Sequence, residues 1–306
     1  MIKHYVEHLT NIRKHTLVVA MALMALASMT LAARASATEP TGDFAVFKQC
    51  PRFTPGVNRC IYSLTESGEV KIGKMAVPIK NTVTLQGGIN ESTEPGTMVA
   101  ALNGETLSKT PQNVPGGLLN LVNCEAIKGE GFLEKVEREA CKAIFENKVT
   151  GVTATTELAK PASAITISAS NLVNEEGTAL SLPVKVKLDN PFLGSECYIG
   201  SSSSPITLNL TSGKTSPPPP NTSISGKLGN LEFKDEFRLT EITNNTLVDN
   251  SFAVPAASGC GGVFAFLIDP IIDGKLGLPS PAGNNTAIQN NTIKEASRES
   301  VIKSEK

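Results

Sequence analysis

The chain has 306 residues, 40% hydrophobic and 19% charged, with 28 basic and 29 acidic side chains for a formal charge of −1. This is ordinary globular composition, and its balanced charge lacks the basic footprint that nucleic acid selects. The whole chain carries three histidines and no tryptophan, which narrows the chemistry further.

Residues 1–37 read as a secretory signal peptide. Lys3, Arg13 and Lys14 give a positive start, Leu17 to Leu31 is an apolar run, and Ala35-Ser36-Ala37 is a small-residue cleavage site. The run is shorter than the roughly 20 apolar residues a membrane-spanning helix needs. Cleavage would leave a chain starting at Thr38. His4, His8 and His15 would depart with the leader, and 24 basic against 28 acidic residues would remain, a net charge of −4. The later sequence has no second apolar run of spanning length. All six cysteines, Cys50, Cys60, Cys124, Cys141, Cys197 and Cys260, fall after residue 37. An even count in an exported chain predicts three disulfides. Spacing alone allows fifteen connectivities, and neighbour pairing (50–60, 124–141, 197–260) is the expectation adopted.

After the leader, Phe44, Phe47 and Phe53 surround Cys50 as a core edge. Ile61 to Leu64 and Val70 to Ile79 read as two strands joined by a turn at Thr65-Glu66-Ser67-Gly68. The apolar phase changes between Val70/Ile72 and Met75/Val77/Ile79, which predicts a β-bulge near Gly73-Lys74. Thr82 to Leu85 is a further strand, ended by Gly87-Gly88, and 103–117 is loop. Residues 132–145 place apolar side chains at 133, 136, 140 and 144, the spacing of one amphipathic helix. Strands return at 152–158 and 165–169.

The clearest signal follows. Leu180, Leu182, Val184, Val186 and Leu188 alternate with Lys185, Lys187 and Asp189, a strand with one dry face. Asn190-Pro191 stops it. Ile206, Leu208 and Leu210 repeat the pattern, and Pro217–Pro220 ends the unit as a stiff extended segment. Cys197 lies between these strands. Leu231/Phe233 and Phe237/Leu239 flank a turn and predict a hairpin, 247–254 a strand, and 261–268 a buried strand or short buried helix. Thr292-x-x-Glu295 resembles a capping box and predicts a frayed terminal helix. The expected fold is mainly β, a disulfide-stapled β-sandwich or barrel-like arrangement with one amphipathic helical insertion. The expected parts are a signal peptide (1–37), an N-terminal β-rich part (38–117), the insertion (118–149), a main β domain (150–283) and a polar tail (284–306).

Without a histidine after residue 37, the Ser-His-Asp and Cys-His catalysts and the His-containing zinc sites have no candidates. Gly213-Lys214-Thr215 imitates the end of a phosphate loop, but Leu208 occupies the place of its first glycine. Ser300 to Lys303 fits S-x-x-K within the tail. The remaining reactive groups are carboxylates. Asp269 and Asp273 would share a face on a helix, and Asp235-Glu236 sits at a turn. Paired carboxylates hydrolyse glycosidic bonds without histidine. No catalytic, cofactor-binding or metal-ligating residue is assigned from the sequence, and no cofactor is implied.

Several phrases carry a resemblance: Val83 to Gly88, Asn103 to Pro111, Leu182 to Gly200, Thr215 to Pro220, Leu247 to Pro255 and Leu276 to Asn285. They are similar to a family of secreted actinobacterial proteins. That likeness implies export and carries no functional residue over to this chain. The expected function is a non-enzymatic exported protein, a structural or binding component at the cell surface or in the medium, with a cell-envelope or extracellular ligand and no nucleic acid. The alternatives are a carboxylate-based glycan hydrolase and a self-assembling envelope barrel.

Overall fold

The computed structural model describes residues 38–117, 131, 135, 139, 151–236 and 238–305. The predicted signal peptide, the expected 124–141 disulfide and most of the predicted amphipathic helix lie outside these residues. The described strands are β1 (Arg59–Ile72), β2 (Met75–Ile79), β3 (Val83–Asn90), β4 (Gly96–Val99), β5 (Gln112–Asn113), β6 (Thr153–Leu158), β7 (Thr166–Ile167), β8 (Leu180–Asp189), β9 (Tyr198–Ile199), β10 (Ile206–Leu210), β11 (Asn230–Lys234), β12 (Leu239–Asp249), β13 (Ala257–Ser258) and β14 (Thr286–Ser297). The helices are α1 (Ala169–Asn174), α2 (Ala265–Leu276) and α3 (Arg298–Lys303). The protein is therefore mainly β, as its alternating patterns predict. The expected N-terminal and main β parts share one sheet, which runs β11-β12-β14-β1-β3-β4-β7-β8-β6-β5.

That sheet curls until it meets itself. One edge of β8 pairs with β7 and β6, the other with β10 and β9. Just beyond β10, Thr211 and Val248 of β12 exchange two backbone hydrogen bonds of 2.9 Å. This seam completes a ring through β12, β14, β1, β3, β4, β7, β8 and β10. Next to it, the buried carboxylate of Asp249 accepts the Asn209 N–H at 2.7 Å and the Ser251 N–H at 2.8 Å. At the other end of β1 a side chain makes the join. Gln112 on β5 accepts from Lys80 N and Asn81 N, beyond β2, and donates to the Asn81 carbonyl. Closing a sheet leaves few open edges and encloses one face of every strand.

The enclosed face is the main core. Leu182, Val184, Leu188, Ile206, Leu208 and Leu210 are buried there with Ile61, Ile72, Ile199 and Leu247. The charged positions between them face outward and pair across strands, Lys185 with Glu157 at 3.5 Å and Lys294 with Glu241 at 3.1 Å. A second, smaller cluster lies on the outer side of β1. Phe44, Phe47, Cys50 and Val57 pack there against Cys60, Leu239, Ala296 and Val301. The chain ends tie this cluster down: Arg52 forms a buried ion pair with Glu305, and the Thr41 hydroxyl donates to the Ser304 carbonyl at 2.6 Å.

The strand expected to end at Gly87-Gly88 runs through both glycines to Asn90 as β3, where they pair with β1 and β4. Four further local expectations are corrected. First, β1 is one long strand through Thr65–Gly68. A register shift between Thr65 and Ser67 against β14 shows the bulge there, so the predicted turn is a bulge. Second, the predicted bulge at Gly73-Lys74 is a turn. Ile72 pairs with Met75, and Gly73 takes a left-handed φ of 56°, as a two-residue hairpin with glycine first requires. A Cβ on Gly73 would lie 2.1 Å from the Leu276 carbonyl oxygen. Third, the polar tail is the strand β14, paired on both sides by β1 and β12. Its inward positions include Gln289 and Asn291 rather than aliphatic residues, which hid the alternation and left Thr292 and Glu295 to imitate a cap. Only Arg298–Lys303 is helical, capped by the Ser297 hydroxyl. Fourth, 261–268 is not buried: a short 3-10 turn leads into α2, with Val263, Phe264, Phe266 and Leu267 exposed.

Two expected disulfides are present, Cys50–Cys60 and Cys197–Cys260. They close loops with sequence separations of 10 and 63 residues. Chain entropy assigns them about 3 and about 4 kcal/mol respectively. Thermal unfolding should show a larger loss for the Cys197→Ser/Cys260→Ser pair than for Cys50→Ser/Cys60→Ser; equal losses would contradict this.

Burial pushes the Asp249 carboxyl above its usual 3.8, against the two N–H groups that favour the anion. The folded state then holds its proton to higher pH than the unfolded chain does. Stability from this group is greatest below 3.8 and falls as pH rises through the folded value. A carbonyl-carbon NMR titration should place the Asp249 midpoint above 3.8. The stability difference between wild type and Asp249→Asn should shrink as pH rises through that midpoint. A midpoint at or below 3.8 would be the wrong sign.

Candidate ligand site inside the closed sheet

The ring encloses a cavity of about 100 Å³. Its aliphatic wall comes from the inward, even-numbered residues of β8, Leu180 to Leu188, with Ile206 and Leu208 of β10. Met75, Val77 and Ile79 of β2, and Val83 and Leu85 of β3, continue it. Val70, Met75, Val77 and Leu180 pack on the core, are only partly buried, and all line this cavity. The volume arises where inward positions carry small side chains: Ser63 and Thr65 on β1, and Ala154 and Thr156 on β6. A leucine or isoleucine at any of these would fill it. Void volume costs about 24 cal/mol per Å³, so roughly 2 kcal/mol of packing is forgone here.

The cavity is not apolar all round. Ser63 and Thr65 of β1 and Gln289 and Asn291 of β14 form a polar strip along two neighbouring strands, with Thr65 directly opposite Asn291. The two middle residues satisfy each other. The Thr65 hydroxyl donates to Asn291 Oδ1 at 2.8 Å, and the Asn291 amide donates to Asn245 Oδ1 at 3.2 Å. Gln112 is consumed by its closing role, and the Thr110 hydroxyl pairs with Ser108 at 2.8 Å. Among the described residues, Ser63 and Gln289 face the cavity with no side-chain hydrogen bond, as does Thr156 on the opposite wall. Among the described residues no ionisable side chain lines the space. Arg59 and Glu295 meet at 3.0 Å nearer the start of β1, outside the lining.

The carboxylates singled out by sequence lie elsewhere. Asp269 and Asp273 do share a face of α2, and the loop between β13 and the helix occupies them. Asp269 accepts the Cys260 N–H at 2.8 Å and the Gly259 N–H at 3.1 Å, and Asp273 accepts the Ala257 N–H at 2.7 Å. Burial raises the Asp273 carboxyl, with the Asp269 charge adding to it. Asp235 and Glu236 form the tip of the β11–β12 hairpin with left-handed φ angles of 50° and 55°, and Asp235 pairs with Arg238 at 2.7 Å. Gly213 of the false phosphate loop packs on the Glu175 carbonyl oxygen, 1.8 Å from where a Cβ would stand. Ser300 and Lys303 lie on α3, where Ser300 is engaged by the Ser297 cap. Cys197 and Cys260 are fully buried and bonded to each other.

Comparison with protein-family models, with curated proteins and with solved structures found no match to this chain. The sequence pattern had identified the aliphatic wall through β8 and β10. It had missed the polar strip, because β14 reads as a polar tail when its partner strands are unknown.

Proposed function

We propose that the chain is an exported, non-catalytic binding component of the cell surface or its surroundings, and that it takes a small apolar ligand into the closed sheet. The observation that carries this reading is the unfilled cavity itself. It is held open by small residues at inward positions, at a cost to packing, and a few polar groups converge on it. Export is supported by the leader-like residues 1–37 and by disulfides of a kind that persists in oxidising compartments. The resemblance to secreted actinobacterial proteins agrees with it.

The alternatives draw less support. A carboxylate glycosidase needs two free acids across a cleft, and the candidate pairs here are occupied by backbone N–H groups or form a hairpin tip. An envelope barrel presents apolar residues outward and polar ones inward. This sheet does the reverse, with aliphatic side chains inside and the Lys185–Glu157 and Lys294–Glu241 pairs outside. Among the described residues no helix is long and apolar enough to cross a membrane.

The test is to recover the protein from culture medium of its producer without detergent and to combine native mass spectrometry with solvent extraction. A bound small molecule should be released at near-stoichiometric yield from wild type and be absent from the cavity-filling variant Ala154→Leu. An empty wild-type protein, or release of reducing sugar from cell-wall glycan by the purified chain, contradicts the proposal.

A further inference from the structure

We infer that the interior site selects an uncharged aliphatic molecule bearing one hydrogen-bonding group, such as a hydroxyl or carbonyl, which lies against Ser63 and Gln289. The inference rests on the binding reading above and adds the chemistry of the ligand.

Three observations define that chemistry. The rest of the lining is largely aliphatic, from β2 and β3 beside β1 and from β8 and β10, so most of the ligand is hydrocarbon. The lining formed by the described residues holds no ionisable side chain, and an ion taken into such a space would lose its hydration with no opposite charge among them to replace it. The strip then supplies polarity at one place. Thr65 and Asn291 lock one another at 2.8 Å, and that lock leaves the flanking Ser63 hydroxyl and Gln289 amide to face the cavity unpaired. A hydroxyl both donates and accepts, and an amide does the same. The pair can therefore satisfy an alcohol, ketone or amide group but offers nothing specific to a saturated hydrocarbon. The size sets the class as small. A cavity of about 150 Å³ accommodates benzene with its six heavy atoms, so about 100 Å³ suits a molecule of about four heavy atoms, a chain of two or three carbons with its polar group. Thr156 on β6 gives a second, isolated polar point, which a longer bifunctional molecule could reach.

The experiment titrates the oxidised protein from Thr38 onward with propane, propan-1-ol and propanoate at neutral pH. Binding is followed through the methyl NMR signals of Leu182, Val184 and Leu208, residues that line the cavity. Propan-1-ol should bind saturably and about tenfold more tightly than propane, the value of one good hydrogen bond. Propanoate should bind at least about a hundredfold more weakly than the alcohol. In Ser63→Ala/Gln289→Met, which keeps the volume and removes the polar groups, the alcohol should lose its advantage while propane binding persists. Equal affinity for propane and propan-1-ol in wild type, or propanoate binding as well as the alcohol, overturns the inference and leaves the binding site standing. Failure of all three ligands to perturb the methyl signals overturns the binding reading itself. The wild-type series decides both questions even if the double variant does not fold.

Discussion

The seam between β10 and β12 is short. Thr211 and Val248 exchange two backbone hydrogen bonds, and the buried Asp249 carboxylate takes the Asn209 N–H beside them. Without those contacts β10 would be an open edge and the sheet a curved plate, with one apolar face meeting water. With them, the alternation of each strand acquires a direction: even positions of β8 and β10 face a common interior, and their polar neighbours, Lys185 and Lys187 on β8 and Thr207 and Asn209 on β10, face out. The same closure explains why a carboxylate is tolerated there. Two backbone N–H groups hold Asp249 where no cation is needed, and burial still raises its affinity for a proton.

Closure also determines where the cross-links matter. Leu188 at the end of β8 donates its N–H to the Cys197 carbonyl at 2.9 Å, and Cys197 is bonded to Cys260 just after β13. Asp269 of α2 then accepts the Cys260 N–H. The strand that supplies most of the aliphatic wall is thus anchored at its end through the disulfide to α2. The Cys50–Cys60 bond serves the opposite side of the sheet, joining the N-terminal aromatic cluster to β1. A protein that forgoes roughly 2 kcal/mol of packing to keep its centre open gains compensation from two such constraints at the periphery.

How much of this was legible in the sequence depended on what each strand buries. β8 and β10 bury Leu, Val and Ile on one face, so period two identified them and the wall they form. β14 buries Ala287, Asn291 and Ile293 among polar neighbours, and its inward Asn and Gln side chains make sense only opposite β1. One of its two partners, β1, lies more than 200 positions away in the sequence, which no local pattern contains. The bulge and the turn in β1–β2 were exchanged for a related reason. A phase change marks an odd number of extra residues or a hairpin equally well, and the partner strand decides. Asp269 and Asp273 were correctly placed on one helical face, but their role depended on the N–H groups that the disulfide loop presents to them. The cavity was invisible because it is a sum over facing positions: Ser63, Ala154 and Thr156 are unremarkable singly and leave space only when the ring brings them together.

The closed sheet surrounds an accessible, largely apolar interior space. Xenon tests it most directly, since it binds apolar voids without needing a hydrogen bond. A crystal of the oxidised protein pressurised with xenon should show the atom within the ring, in contact with Val184, Leu208 and Val77, and dissolved xenon should shift those methyl signals saturably. Xenon found only on the exposed residues Val263 and Phe264 before α2 and Phe266 and Leu267 at its start, with none inside the ring, would contradict it.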